Sequence, residues 1–155
     1  MLRYATRPRQ VDLVAAATSA GRFSLLIRAI KVAGLVDTLR GGGPFTLFAP
    51  TDAAFTNVPS YRLERLLNDP EELADTLRSH VVPGRILAAD VIRYRNSTSR
   101  TLAGRPVSLA ARSGRIYYGG AVVLRSDRLA SNGVIHELDE VLLLDTASVV
   151  WVGAM

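Results

Sequence analysis

A chain of 155 residues, 48% hydrophobic and 21% charged, can bury one sizeable core, which excludes disorder, and the absence of cysteine excludes disulfides, thiolate metal sites and a cysteine nucleophile together. The formal charge of +5 is carried by arginine, with Lys31 the only lysine, and favours anionic partners. No run approaches the roughly eighteen apolar residues of a membrane span, and the basic opening Met1-Leu2-Arg3 to Arg9 has no apolar segment behind it.

In chain order, residues 1–10 read as a flexible basic arm, 11–144 as the domain and 145–155 as a C-terminal tail whose apolar Val149-Val150-Trp151-Val152 has no assigned role. Asp12 is placed to cap a short helix from Leu13 to Ala17. Beyond Gly21, the residues Phe23, Leu26, Ile27 and Ile30 share one helical face, and Gly34 ends that helix. The break Gly41-Gly42-Gly43-Pro44 introduces an apolar strand, Phe45 to Phe48, and Thr51 or Asp52 can cap the helical turn carrying Ala53, Ala54 and Phe55. Asp69-Pro70-Glu71-Glu72 predicts a helix start with a capping box closed by Glu72. Leu73, Leu77 and Val81 then form one stripe that runs until Pro83-Gly84.

After Pro83 the period changes to two, and this half reads as strands. Val107, Leu109 and Ala111 alternate with Ser108, Ala110 and Arg112; Ser113-Gly114 offers a tight turn into Arg115 to Tyr118, and Gly119-Gly120 returns the chain into Ala121 to Leu124. Asn132-Gly133 suits a turn that needs positive φ before the final apolar run from Val134 to Leu144. Helices first and hairpins second is the order of an α+β domain.

Three segments carry a specific resemblance: Phe45-Thr46-Leu47-Phe48-Ala49-Pro50-Thr51-Asp52-Ala53-Ala54-Phe55, then Leu77-Arg78-Ser79-His80-Val81-Val82-Pro83-Gly84, then Ala130-Ser131-Asn132-Gly133-Val134-Ile135-His136-Glu137-Leu138-Asp139-Glu140-Val141-Leu142. In this order and spacing they resemble the fasciclin I-type domain over about Val11 to Leu144. The resemblance implies a helical layer packed on a wedge of β-strands. It also implies a non-enzymatic adhesion or binding role toward a cell-surface protein, matrix or anionic glycan, no cofactor, an extracellular, cell-surface or periplasmic location, and a bacterial source. Two positions depart from the family pattern: Ser79 stands where Tyr often precedes the His of the middle motif, and Asp127 is followed by Arg128 where animal relatives carry an Asp-Ile pair tied to integrin binding.

The residues themselves give catalysis little to work with. His80 lies beside an apolar stripe and His136 alternates with Val134 and Leu138, so both read as structural histidines, His136 half-buried. His136-Glu137 lacks the second His of a zinc-protease motif, Glu140 standing in its place, and no Ser sits in a Gly-x-Ser-x-Gly elbow. Glu137 and Asp139 are expected on one face of a strand, solvated at a sheet edge. Gly41-Gly42-Gly43 precedes a strand rather than a helix and lacks the ending of a phosphate loop. Among Arg93, Arg95, Arg100, Arg105, Arg112 and Arg115, the pair Arg112 and Arg115 would face each other across the Ser113-Gly114 turn, and an anionic partner would relieve their repulsion. Nucleic acid is disfavoured, because the interleaved aromatics of a single-strand binder are missing. The candidate partner-binding residues are therefore His80, Arg112, Arg115 and Asp127, with no catalytic, cofactor or metal residue. Alternatives to adhesion are a cytoplasmic subunit docking on a larger complex and a carrier of an apolar ligand such as a carotenoid; the oligomeric state is left open.

Overall fold

The structure, a computed structural model, describes residues 11–143, so the expected arm and tail lie outside the described residues. Asp12 accepts the Ala15 N–H and starts α1 (Leu13–Ala20), which runs three residues past its expected end until Gly21, at φ 75°, turns the chain. Helix α2 (Ser24–Ala33) buries Leu26, Ala29 and Ile30 and stops at Gly34; α3 (Val36–Arg40) follows. Strand β1 (Phe45–Pro50) leads into α4 (Asp52–Thr56), where the Thr51 hydroxyl accepts the Ala54 N–H. Helix α5 (Ser60–Leu67) is not part of the sequence reading: Leu63, Leu66 and Leu67 share one face, but that stripe covers little more than one turn and only Leu66 is buried.

Asp69 caps α6 (Pro70–Arg78) through the Glu72 N–H, but the capping box stays half-formed, since the Asp69 N–H already donates to the Leu66 carbonyl. The stripe ending at Val81 is not one helix. The Ser79 and His80 N–H groups close the last turn on Asp75 and Leu77, and β-branched Val81 and Val82 enter β2 (Val81–Pro83), where Val81 pairs with Leu47. Nor is the second half all strand. Helix α7 (Ala88–Tyr94) intervenes, its start held by Asp90, which accepts the Leu87 N–H; with Val91 as its one buried residue it shows no period.

Strands β3 (Asn96–Arg100), β4 (Pro106–Arg112), β5 (Arg115–Tyr118), β6 (Ala121–Ala130) and β7 (Gly133–Leu138) complete a seven-stranded sheet in the order β2-β1-β7-β6-β5-β4-β3. The apolar run from Val134 thus ends as a strand at Leu138, short of Leu144. Every pairing is antiparallel except β1 with β7, which run parallel with Phe45 opposite Gly133 and Pro50 opposite Leu138. The period-2 alternation sorts the two central strands into two cores. Leu47, Ala49 and Ile135 pack with the helical residues Leu13, Leu26, Ile30, Leu73 and Leu77, while Phe48 and Leu138 pack with Val91, Leu109 and Tyr118. The domain is α+β, helices on one side and curled hairpins on the other.

The β6–β7 connection ties these layers. Asn132 Oδ1 accepts the Leu13 N–H at 2.9 Å, its Nδ2 donates to the Leu39 carbonyl at 2.8 Å, and its own carbonyl accepts the Phe45 N–H at 2.9 Å. Neither Asn132 nor Gly133 takes the positive φ expected of them. Glycine is needed at 133 for a different reason: a Cβ there would run into the Phe45 backbone of β1. Asn132→Ala, which leaves a donor on α1 and an acceptor on α3 without partners, is expected to cost about 2 kcal/mol and lower Tm by about 4–8 °C, read from a thermal melt followed by circular dichroism.

Candidate functional site

The two histidines are anchors inside the fold. His80 is 0% exposed; its Nδ1–H donates to the Thr76 carbonyl at 2.7 Å and its Nε2 accepts the Leu142 N–H at 3.0 Å. That pair of bonds fixes the neutral ring, and burial lowers its pKa from 6.5 to about 4 against the opposing pull of the Thr76 carbonyl. His136, read as half-buried, is 2% exposed: Nε2–H donates to the Ile86 carbonyl at 2.7 Å and Nδ1 accepts the Asp127 N–H at 3.2 Å. Burial lowers its pKa as well, with the Ile86 carbonyl and the Asp127 charge pulling the other way. The ring of Phe48 lies between His136, at 5.2 Å between centroids, and Tyr118, stacked at 3.8 Å. Tyr118 donates its hydroxyl to the Ser79 carbonyl at 2.7 Å, and burial pushes that phenol's pKa up. Four side chains, Phe48, Tyr118, His80 and His136, therefore clamp β1, β5 and β7 to the chain on either side of β2.

Asp127 sits in β6 at φ 63°, between irregular register steps, and its carboxylate accepts the Ala88 N–H at 2.9 Å at the start of α7. Its visible role is to hold a helix. Thr51 and Asp52, weighed as alternative caps for one helix, divide the work: Thr51 caps α4, whereas Asp52 reaches back to α2 and accepts from Leu25 N–H at 2.8 Å and Ser24 Oγ at 2.7 Å. Glu137 and Asp139 do not share a solvated strand face. Glu137 is 3% exposed and paired with Arg22, and Asp139 lies past the end of β7, where it accepts the Val122 N–H. Burial of Glu137 follows from its position in a central strand, flanked by β1 and β6.

The arginines present a different picture. Ser113 and Gly114, both at positive φ, make a two-residue turn, and the β4–β5 register sets Arg112 directly opposite Arg115. Both are exposed, and Arg112 lies over the Tyr117 ring at 4.9 Å. The Arg95 carbonyl accepts the Ala111 N–H, so Arg95 joins the same end of the sheet, whereas Arg100, opposite Pro106, lies at the far end with Arg105. None of Arg93, Arg95, Arg112 and Arg115 has an acidic partner among the described residues. Strands β5 and β6 part next to this end, leaving a notch of about 430 Å³ lined by Arg115, Ile116, Val123, Leu124 and Ser126. His80 and Asp127 are therefore not gathered with the arginine pair. The described residues contain no group of three or more His, Asp or Glu that could hold a metal ion, and no helix long and apolar enough to cross a membrane.

A mixed sheet locked by internal polar anchors, with an exposed arginine pair at one hairpin end, defines an α+β scaffold. The sequence profile of the Fasciclin domain matches residues 21–144, and the chain belongs to that family. It is 40% identical over 135 residues to protein sll1483 of Synechocystis sp., covering 86% of this chain and 73% of that one. It is 34% identical over 126 residues to the transforming growth factor-beta-induced protein ig-h3 of Sus scrofa, covering 81% of this chain and 18% of that one. Among solved structures, it is similar to a FAS1 domain pair from the insect cell adhesion molecule fasciclin I, with a TM-score of 0.61 and 18% identity over 80% of this chain and 46% of that one. Fasciclin domains are in general adhesion and binding modules rather than catalysts.

Proposed function

We propose that this domain is a non-catalytic adhesion module, working at a cell surface or outside the cell, whose β4–β5 end grips an anionic group on a glycan or protein partner. The observation that carries the reading is the Arg112–Arg115 pair: two guanidinium groups held opposite each other, exposed, with no acid among the described residues to neutralise them. Like charges in that register are destabilising, and a bound carboxylate or sulfate offsets the repulsion through bidentate bonds. Stacking on Tyr117 holds the Arg112 guanidinium in place before a partner arrives. Of the four candidate residues, Arg112 and Arg115 make the contact in this reading. Asp127 sets the start of α7, the helix whose far end meets β4 at Ala111, and His80 supports the frame from inside.

Retention on immobilised dextran sulfate at low salt tests the reading. Arg112→Ala combined with Arg115→Ala is expected to weaken binding about tenfold or more, from two lost charge-assisted contacts. Removing the same charge elsewhere, with Arg28→Ala and Lys31→Ala on α2, should leave binding within about twofold once screening is matched. Equal losses in the two double variants would mean that net charge alone drives retention and would end the hairpin assignment.

A further inference from the structure

The loop before α2, the start of α4 and the bulged middle of β6 surround an open cleft of about 500 Å³ lined by Arg22, Thr51, Asp52, Leu124, Arg125 and Glu137. Its volume falls in the range of small-molecule sites, about 300–1,000 Å³. Glu137, whose side chain is 4% exposed, stands in the wall. Its Oε1 takes Arg22 at 3.3 Å, long for a charged pair, and its Oε2 has no partner among the described residues. Among the described residues the one solvent-sealed side-chain oxygen without a partner is Thr76 Oγ1, so Glu137 Oε2 is not sealed, and the cleft is the space that Glu137 lines.

Arg125 lies opposite Glu137 in the β6–β7 register, on the same face of the sheet, yet forms no ion pair with it and stays exposed. Asp52 is already committed to the Ser24 hydroxyl and the Leu25 N–H. The groups left open are thus one unpaired carboxylate oxygen, one uncommitted guanidinium and the unused N–H groups of Arg22, beside the half-exposed apolar flank of Leu124.

We propose that this cleft is a ligand site for a hydroxy-carboxylate, the chemistry of a uronic-acid residue. The ligand carboxylate pairs with Arg125 and the outer N–H groups of Arg22, and a neighbouring hydroxyl donates to Glu137 Oε2. A simple anion is disfavoured because Glu137 would repel it, and an ammonium donor is disfavoured because two guanidinium groups flank the carboxylate; a neutral hydroxyl meets neither obstacle. Leu124 also lines the notch beside the β4–β5 end, but Arg22, Arg125 and Glu137 do not, so the charged groups of this site stand apart from the hairpin reading.

The test is an amide chemical-shift titration of the full chain with glucuronate, trigalacturonate and the methyl ester of trigalacturonate. Saturable shifts at Arg22, Leu124, Arg125 and Glu137 are expected, weakened about tenfold by esterification and by either Arg125→Ala or Glu137→Gln, since each removes one charged contact. Arg125 is exposed, so its variant stays folded even if the Glu137 variant does not. The Arg112→Ala, Arg115→Ala protein should titrate unchanged at these amides. Tighter binding of the trimer than of glucuronate assigns the cleft to a polymer unit, and equal binding assigns it to a free sugar acid. The proposal is overturned if no saturable shift occurs at these amides, or if Arg125→Ala binds as well as the parent. Shifts confined to Arg112 and Arg115 overturn the cleft while leaving the hairpin reading intact, and shifts confined to the cleft do the opposite.

Discussion

Alanine at position 133 is expected to destabilise the domain by about 3 kcal/mol or more, because no rotamer can move a Cβ and the atoms it meets are backbone. Gly133 opens β7 opposite Phe45 of β1, and relief would require the two central strands to part along a six-residue parallel register. Against a total stability on the order of 5–15 kcal/mol, such a loss leaves the folded state marginal, with Tm lower by about 6–12 °C. Gly114→Ala is the informative comparison. Its φ is 78°, but a Cβ there meets nothing within 4 Å, so the cost is left-handed strain alone, about 1 kcal/mol. Denaturant unfolding of both proteins separates the two causes; equal losses would show that close approach at Gly133 is not the constraint.

Acidification is expected to weaken the fold well above the range in which ordinary carboxylates titrate. His80 is neutral in the native state down to about pH 4, whereas the unfolded chain takes up its proton near 6.5. Between those values the unfolded state binds more protons, so stability is fully present above about pH 6.5, falls as pH drops through the window and is lost once pH passes below the folded value. A displacement of this size corresponds to about 3 kcal/mol from His80, which is entirely buried, and His136 acts in the same direction. Burial is the main reason the native state resists protonation, and the Leu142 N–H adds to it, since a proton on Nε2 of His80 would point at that N–H. Urea midpoints should decline steadily from about pH 7 to 4.5 in the parent, and His80→Gln, though less stable at neutral pH, should decline less steeply. A parent protein whose unfolding free energy is flat over that interval would contradict the assignment.

Much of this frame was legible where chemistry is local. Asp12, Gly34 and Asp69-Pro70 mark helix ends through their own side chains or φ angles, and Ser113-Gly114 marks a turn, so their readings needed no tertiary knowledge. What was illegible depended on partners distant in sequence. Val81 fits a helical stripe until Leu47 is there to pair with it, and α7 is short and held in part by Asp127, 39 residues away. The same holds for the candidate sites. The Arg112–Arg115 juxtaposition follows from a two-residue turn and could be drawn from the sequence. The cleft around Glu137 could not, because Arg22, Asp52 and Arg125 meet it only once β7 is inserted between β1 and β6.

That insertion has a consequence for how the chain is made. The strand nearest the C-terminal end of the sheet is also its keystone: without β7, the strands fall into one pair, β2-β1, and a separate meander, β6-β5-β4-β3. On a ribosome adding about 5–20 residues per second, the nascent chain holds these two pieces apart, each with a bare edge, until residue 138 has left the exit tunnel. The sheet therefore cannot close until β7 has emerged, and a product truncated before Gly133 would be a pair of sticky half-sheets rather than a smaller version of the whole.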